Sequence, residues 1–190
     1  MINGRFMWLK SSAFVGVFLF IFVLGAIPAF TETLQPTRTQ NPDLHNQLKQ
    51  FRSQAFELRR EASVLQSFAP GQLSWRTHTH RLDMIRDHVN DLGKKLAALE
   101  TVQTDGTEAH QLAIENVRPH LIATAQEVRE AYTLVNENRG NVKMQPYTET
   151  VNDLYEHAAS LYETVDTILD YENARVRLQE LELPSPAQGS

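Results

Sequence analysis

The 190-residue sequence contains no cysteine. Disulfide bonds, thiolate metal ligands, cysteine nucleophiles and covalent haem attachment are therefore excluded. A lipid anchor on a processed N-terminal cysteine is excluded for the same reason. A folded domain in this chain must be stabilised by its hydrophobic core, and about 150 residues are enough to form one.

The common sequence signatures of catalytic sites are also missing. There is no Gly-x-Ser-x-Gly, no phosphate-binding glycine loop and no His-Glu-x-x-His. Two of the 18 basic residues precede residue 31, whereas all 23 acidic residues follow it, and the basic residues form no cluster. Nucleic acid and anionic lipid are therefore poor candidate partners. We predict a protein that is not an enzyme and has no cofactor.

One long apolar run stands near the N-terminus. Residues 11–30 contain no charged or amide side chain, and Arg5 and Lys10 are the only charges before residue 32. Positive charge on the N-terminal flank keeps that flank in the cytoplasm, so the chain beyond the run should cross the membrane. We therefore predict an exported protein, located in the periplasm or elsewhere outside the cytoplasm.

The apolar run fits either a cleaved signal peptide or a retained membrane anchor. Ala13 to Ile27 has the length of a signal-peptide core, and Pro28 then breaks the helix, with cleavage predicted after Ala29 or Ala26. The whole run of 20 residues is also just long enough to span a bilayer. We favour cleavage because of Pro28 and the small residues around it. Retention would leave residues 11–30 as the only membrane contact.

The rest of the chain divides into a linker at 31–40, a helical region at 41–183 and a disordered tail at 184–190. Apolar residues in the helical region are spaced alternately three and four apart, which is a heptad pattern. Turn signals at Pro70-Gly71, Thr104–Thr107 and Arg139–Asn141 divide it into four helices. Their predicted starts are Asn41–Asp43, Ser74, about Glu108 and Pro146. We predict an all-α fold, an up-down-up-down antiparallel four-helix bundle. The alternative is a three-helix core with the fourth helix partly detached.

The predicted buried seam of each helix follows from this spacing. In the first helix it comprises Leu44, Leu48, Phe51, Ala55, Leu58, Ala62 and Leu65. In the second it comprises Trp75, His78, Leu82, Ile85, Val89, Leu92, Leu96 and Leu99. In the third it comprises His110, Ile114, Val117, Leu121, Thr124, Val128, Ala131 and Val135. In the fourth it comprises Val151, Leu154, Ala158, Leu161, Val165 and Ile168.

Seven histidines in a helical bundle suggest a metal or haem site. His78 and His110 begin consecutive helices, so antiparallel packing separates them by about 40 Å and they cannot share an ion. Each is expected to be a hydrogen-bonded structural histidine near a helix end. His45, His80 and His88 lie off the predicted seams. No seam histidine faces a recognisable haem pocket.

One set of residues remains a candidate metal site: His120, Asp153 and His157. His120 and His157 should lie at heights within about 10 Å of each other on neighbouring helices. Asp153 stands one turn before His157, a spacing at which both side chains reach one ion. The Glu-x-x-His signature of di-metal bundles is missing, however, and no third strong ligand is evident. We therefore favour a pair of partly exposed structural histidines and predict no metal site.

Two further features concern the fourth helix. At Glu172 the register slips and charged residues become frequent (Glu172, Arg175, Arg177, Glu180 and Glu182), so this end is expected to project or fray. The acidic residues throughout have the spacing of solvated helix faces. Tyr155, Tyr162 and Leu169 widen the apolar stripe on one side, and the two tyrosines form either a packing edge or a contact with another protomer.

The sequence therefore predicts an exported, non-enzymatic helical bundle. It would act by protein interaction or by a structural role in the cell envelope, with an unknown protein partner or by self-association. The alternative function is a bundle that binds a metal ion or a small ligand.

Overall fold

The fold was analysed in a computed structural model, which describes residues 42–142 and 144–182. Within these ranges the chain forms four α-helices and no β-strand. The helices are α1 (Pro42–Phe68), α2 (Trp75–Thr101), α3 (Glu108–Glu137) and α4 (Gln145–Glu182), and a short 3-10 turn at Gln103–Asp105 joins α2 to α3. None of these helices combines the length and apolarity needed to span a bilayer. The predicted signal peptide or anchor, the linker and the tail lie outside the described residues.

The helices begin close to the predicted residues. Ser74 caps α2 by accepting a hydrogen bond from the backbone N–H of Thr77. Thr107 caps α3 in a reciprocal capping box with His110, and α4 begins at Gln145, one residue before the predicted Pro146. The caps at Ser74 and Thr107 thus set where the loops before α2 and α3 end.

Each helix packs against the next one along the chain, and α1 packs against α4. Two polar contacts show that α1 and α4 run antiparallel. Arg52 Nη1 lies 3.2 Å from Asp166 Oδ1, and Gln66 Nε2 lies 3.2 Å from Asn152 Oδ1. Helix α4 is therefore an integral part of the bundle, and the predicted alternative with a partly detached fourth helix is wrong.

The predicted seams form the core. Every predicted seam residue of α1 and α3 is buried, as is every one of α2 except the half-buried Trp75. In α4 the prediction fails at one position, since Ile168 is half-buried and its neighbour Leu169 is buried in its place. Pro119 lies on the exposed face of α3, and the helix continues through it.

His78 occupies the core at one end of the bundle. Its Nδ1 lies 3.0 Å from the hydroxyl of Tyr147, and both side chains are fully buried. Burial lowers the pKa of His78 and raises that of Tyr147. The expectation of a hydrogen-bonded structural histidine is confirmed here.

Glu61 corrects the prediction that all acidic residues lie on solvated faces. It is buried between α1 and α2, where Arg81 Nη1 lies 2.5 Å from one carboxylate oxygen and Arg60 Nη2 lies 3.3 Å from the other. Burial alone would raise the pKa of Glu61, but hydrogen bonds from Arg81 and Arg60 outweigh it and the pKa is lowered. The carboxylate is tolerated in this position because it is paired with two guanidinium groups.

Leu92 tests the seam assignment in the middle of α2, where it is fully buried. We expect Leu92→Ala to lower the free energy of unfolding by about 2–5 kcal/mol, because it removes buried methyl groups and leaves a cavity. Asn90→Ala, at an exposed position of the same helix, should change it by less than about 0.5 kcal/mol. Chemical unfolding of both variants measures the difference, and equal stability would mean that the seam is misassigned.

His78 makes stability depend on pH. Since its pKa is lower in the folded chain than the ordinary 6.5, the unfolded chain binds more protons below that pH, and stability falls as the pH drops. We expect a lower thermal midpoint at pH 5.5 than at pH 7.5, and a smaller decrease in His78→Gln. The matched variant His80→Gln, at an exposed position, should keep the full decrease. Equal decreases in the two variants would contradict this account.

Candidate metal centre

Three side chains of metal-ligand type converge at one end of the bundle. His45 lies in the first turn of α1, His110 in the first turn of α3, and Glu172 near the end of α4. One potential ligand atom from each residue lies within 4.8 Å of the others. Antiparallel packing brings them together, because α1 and α3 begin at the end of the bundle where α4 finishes.

The carboxylate of Glu172 is the centre of this cluster. Its Oε2 lies 2.5 Å from Nε2 of His110 and 3.5 Å from Nδ1 of His45. The exposed fractions are 9% for His45, 0% for His110 and 1% for Glu172. The cluster is thus closed off from bulk solvent.

The three facing atoms lack hydrogen-bond partners. Nδ1 of His45, Nε2 of His110 and Oε2 of Glu172 are all inaccessible, and none makes a hydrogen bond of acceptable geometry. The short distance between His110 and Glu172 is therefore a close approach without a well-directed N–H···O bond. Buried polar atoms are rarely left in this state, and two nitrogens and one oxygen that converge in this way provide a donor set for a metal cation.

Thr107 positions two of the three residues. Its hydroxyl donates a hydrogen bond to Oε1 of Glu172 and accepts one, 3.3 Å long, from the backbone N–H of His110. Occupation of Oε1 leaves Oε2 to face the two imidazoles. This is the arrangement in which outer residues orient the ligands of a metal site.

One hydrogen bond opposes metal binding. The backbone N–H of Thr107 donates to Nδ1 of His110 at 3.3 Å, which places the single proton of the neutral ring on Nε2. A metal ion at Nε2 requires that proton to move to Nδ1 and the contact from Thr107 to be lost. The capping box and a metal ion therefore compete for the tautomer of His110.

The protonation states of the other two residues suit a cation. Burial raises the pKa of Glu172, but the close imidazole of His110 and the hydrogen bond from Thr107 outweigh it, and the pKa falls below its ordinary value. Burial lowers the pKa of His45, and the nearby charge of Lys49 lowers it further. Near neutral pH the cluster thus contains a carboxylate and a neutral His45 imidazole, which are the forms that bind metals.

The cluster contradicts two predictions. His45 was expected off the seam, yet it is buried, because the bundle covers a wider stripe of α1 than the heptad positions alone. Glu172 was expected in an exposed, charged segment, yet it continues the buried row of Val165 and Leu169. Following the register from Leu169 instead of Ile168 would have placed Glu172 in the core.

The predicted set of His120, Asp153 and His157 is only partly assembled. The rings of His120 and His157 lie 6.4 Å apart between centroids, which confirms their predicted proximity. Both are half-buried, whereas Asp153 is exposed. Within residues 42–142 and 144–182, no third ligand joins this pair to complete a metal-binding group.

Comparisons with protein-family models, with curated proteins and with solved structures find no match to this chain. The function is therefore inferred from the side chains themselves. Two imidazoles and one carboxylate have the ligand chemistry of divalent first-row transition metals.

Gly106 allows the loop before α3 to approach the cluster. A Cβ atom at this position would lie 2.5 Å from Cδ2 of Leu44 and 2.9 Å from Cβ of His110. Only glycine leaves room for α1 and α3 at these distances. The position of His110 relative to α1 thus depends on the absence of a side chain at residue 106.

Substitution of Gly106 should therefore destabilise the bundle. We expect Gly106→Ala to lower the free energy of unfolding by about 1–3 kcal/mol through overpacking. The matched change Gly93→Ala, inside α2 with no neighbour within 4 Å of the added atom, should raise it by up to about 1 kcal/mol. Chemical unfolding distinguishes the two changes, and a Gly106→Ala variant as stable as the parent would refute the close approach.

Proposed function

We propose that the protein is an exported, non-enzymatic, up-down-up-down helical bundle in which His45, His110 and Glu172 bind one divalent transition-metal ion. The supporting observation is the convergence of three inaccessible ligand atoms that have no hydrogen-bond partners. A cation would satisfy all three at once. Export is proposed from the apolar run at residues 11–30 and its basic flank.

Zinc is the ion that this donor set favours. Imidazole nitrogen and carboxylate oxygen are ordinary zinc ligands, whereas calcium and magnesium prefer sites made of oxygen alone. The chain supplies three ligands, so a further position would be completed by water. Because the ligands are buried, we assign the ion a structural role and not a catalytic one.

The ion would connect helices that are distant in the sequence. His45, His110 and Glu172 belong to α1, α3 and α4, so one bound ion would hold three of the four helices at the same end. A ligand that binds only the folded state stabilises it, by about 2.7 kcal/mol at a concentration 100 times its dissociation constant. In the envelope this gives a cysteine-free domain a cross-link that does not depend on redox conditions.

A metal-free structural role is the second candidate. It is favoured by the hydrogen bond from the Thr107 N–H to Nδ1 of His110. In that arrangement the His110 Nε2 proton faces the Glu172 carboxylate, and the cluster serves only as a buried polar network. The two candidates differ in whether the folded protein retains an ion.

Metal analysis of the full chain tests the proposal. After removal of metals and titration with zinc, we expect about one ion per chain and a rise in thermal midpoint. Glu172→Gln should lose both, because it removes the charge that holds the cation while preserving the shape of the side chain. The matched variant Glu163→Gln, exposed on the same helix, should retain both.

Two outcomes would contradict the assignment. Loss of the ion in His157→Ala, but not in Glu172→Gln, would move the site to the pair of His120 and His157. A parent protein that neither binds zinc nor gains stability from it would favour the metal-free network.

A further inference from the structure

Helix α4 presents an exposed apolar row near its C-terminal end. The exposed fractions are 61% for Tyr171, 61% for Leu178 and 81% for Leu181, and Ala174 between them is also exposed. These four residues, here called the α4 stripe, are spaced three, four and three apart. That spacing is a second heptad seam, distinct from the one that contains the buried Glu172.

The α4 stripe continues onto α3. Leu112 of α3 is 46% exposed and lines a shallow groove between the two helices together with Ala109, Ile168 and Tyr171. The exposed apolar surface thus covers two neighbouring helices. Contiguous surface of this kind is characteristic of a protein interface.

The tyrosines proposed from the sequence as a possible protomer contact lie elsewhere on the bundle. Tyr162 packs edge-on against Phe56 of α1, with 5.7 Å between ring centroids, and the Arg59 guanidinium lies 4.3 Å from its ring centre. Tyr155 also packs against the core. Both rings therefore form a packing edge within the chain.

The charges beside the α4 stripe indicate which occupant fits it. In a parallel two-stranded coiled coil, the residue immediately before the first seam position of a heptad faces a residue on the partner helix. That partner residue lies five positions later in the sequence. Applied to this sequence, Asp170 meets Arg175 of the second copy, and the two-fold axis repeats this pair on the other side of the row. Antiparallel pairing centred on the stripe would instead bring Arg175 and Arg177 towards their own counterparts.

We propose that a second copy of this chain packs in parallel on the α4 stripe. The interface is isologous, so each stripe residue faces its own counterpart across a two-fold axis. Opposite charges flank the apolar row on both sides. This inference does not rest on the metal centre, because its only α4 residue, Glu172, is buried on the other side of the helix.

Cysteine cross-linking tests the parallel register, since the chain has no cysteine of its own. In the full chain, Leu178→Cys should form a covalent dimer on mild oxidation, because the two Cα atoms at a shared seam position come within disulfide range. The matched variant Glu180→Cys, exposed but off the stripe, should cross-link at least tenfold more slowly. Equal rates, or pairing of Leu178→Cys only with Ala174→Cys, would overturn the parallel arrangement.

Mass measurement in solution tests the interface itself. The parent chain should be a dimer at micromolar concentration, and the double variant Leu178→Lys with Leu181→Lys should dissociate at least about 100-fold more readily. Helical content should not change, because both residues are exposed in the single chain. A monomeric parent, or a dimer that persists in the double variant, would overturn the proposal.

Discussion

The end of the bundle where α1 and α3 begin depends on one buried carboxylate. Glu172 is 1% exposed in a place where an isolated charge would cost several kcal/mol. Its charge is retained only because Thr107 donates to one oxygen and two imidazoles lie against the other. Removal of any partner would leave an uncompensated group in the interior, so three helices are constrained by a single side chain.

Several local features help to hold Glu172 in its buried position. Thr107 is both the N-cap of α3 and the residue that orients Glu172, so the start of the helix and the geometry of the cluster are set together. Gly106 gives the loop the space to bring His110 against α1. At the opposite end of the bundle, His78 Nδ1 and the Tyr147 hydroxyl share one hydrogen bond, while His78 Nε2 is buried without a partner. Among the residues that the structure describes, only the end that contains Glu172 brings three unpartnered ligand atoms together.

Most of the fold could be predicted from the sequence. Heptad spacing identified the four helices, and all of the predicted seam residues except Trp75 and Ile168 are buried. These signals are local, because hydrogen bonds at helix ends and burial of one helical face act over a few residues.

The cluster could not be predicted in the same way, since it depends on contacts between residues far apart in the chain. Glu172 was mistaken for a loss of register because a charged residue on a seam resembles the end of the seam. His45 was dismissed because it adjoins a seam position instead of occupying one. These residues come together because the loops place α1, α3 and α4 at matching heights along the bundle. The pair of His120 and His157 was predicted correctly, because both belong to consecutive helices joined by a short connection.

The most direct test of the metal centre is a crystal structure of the full chain grown with zinc, with anomalous scattering recorded at the zinc edge. Metal binding predicts one strong peak about 2.0–2.2 Å from His45 Nδ1, His110 Nε2 and a Glu172 oxygen. With a metal ion on Nε2, the ring proton of His110 lies on Nδ1, so the hydrogen bond from the Thr107 N–H should be absent. No peak between these residues, with that hydrogen bond intact, would show that the cluster is a metal-free polar network.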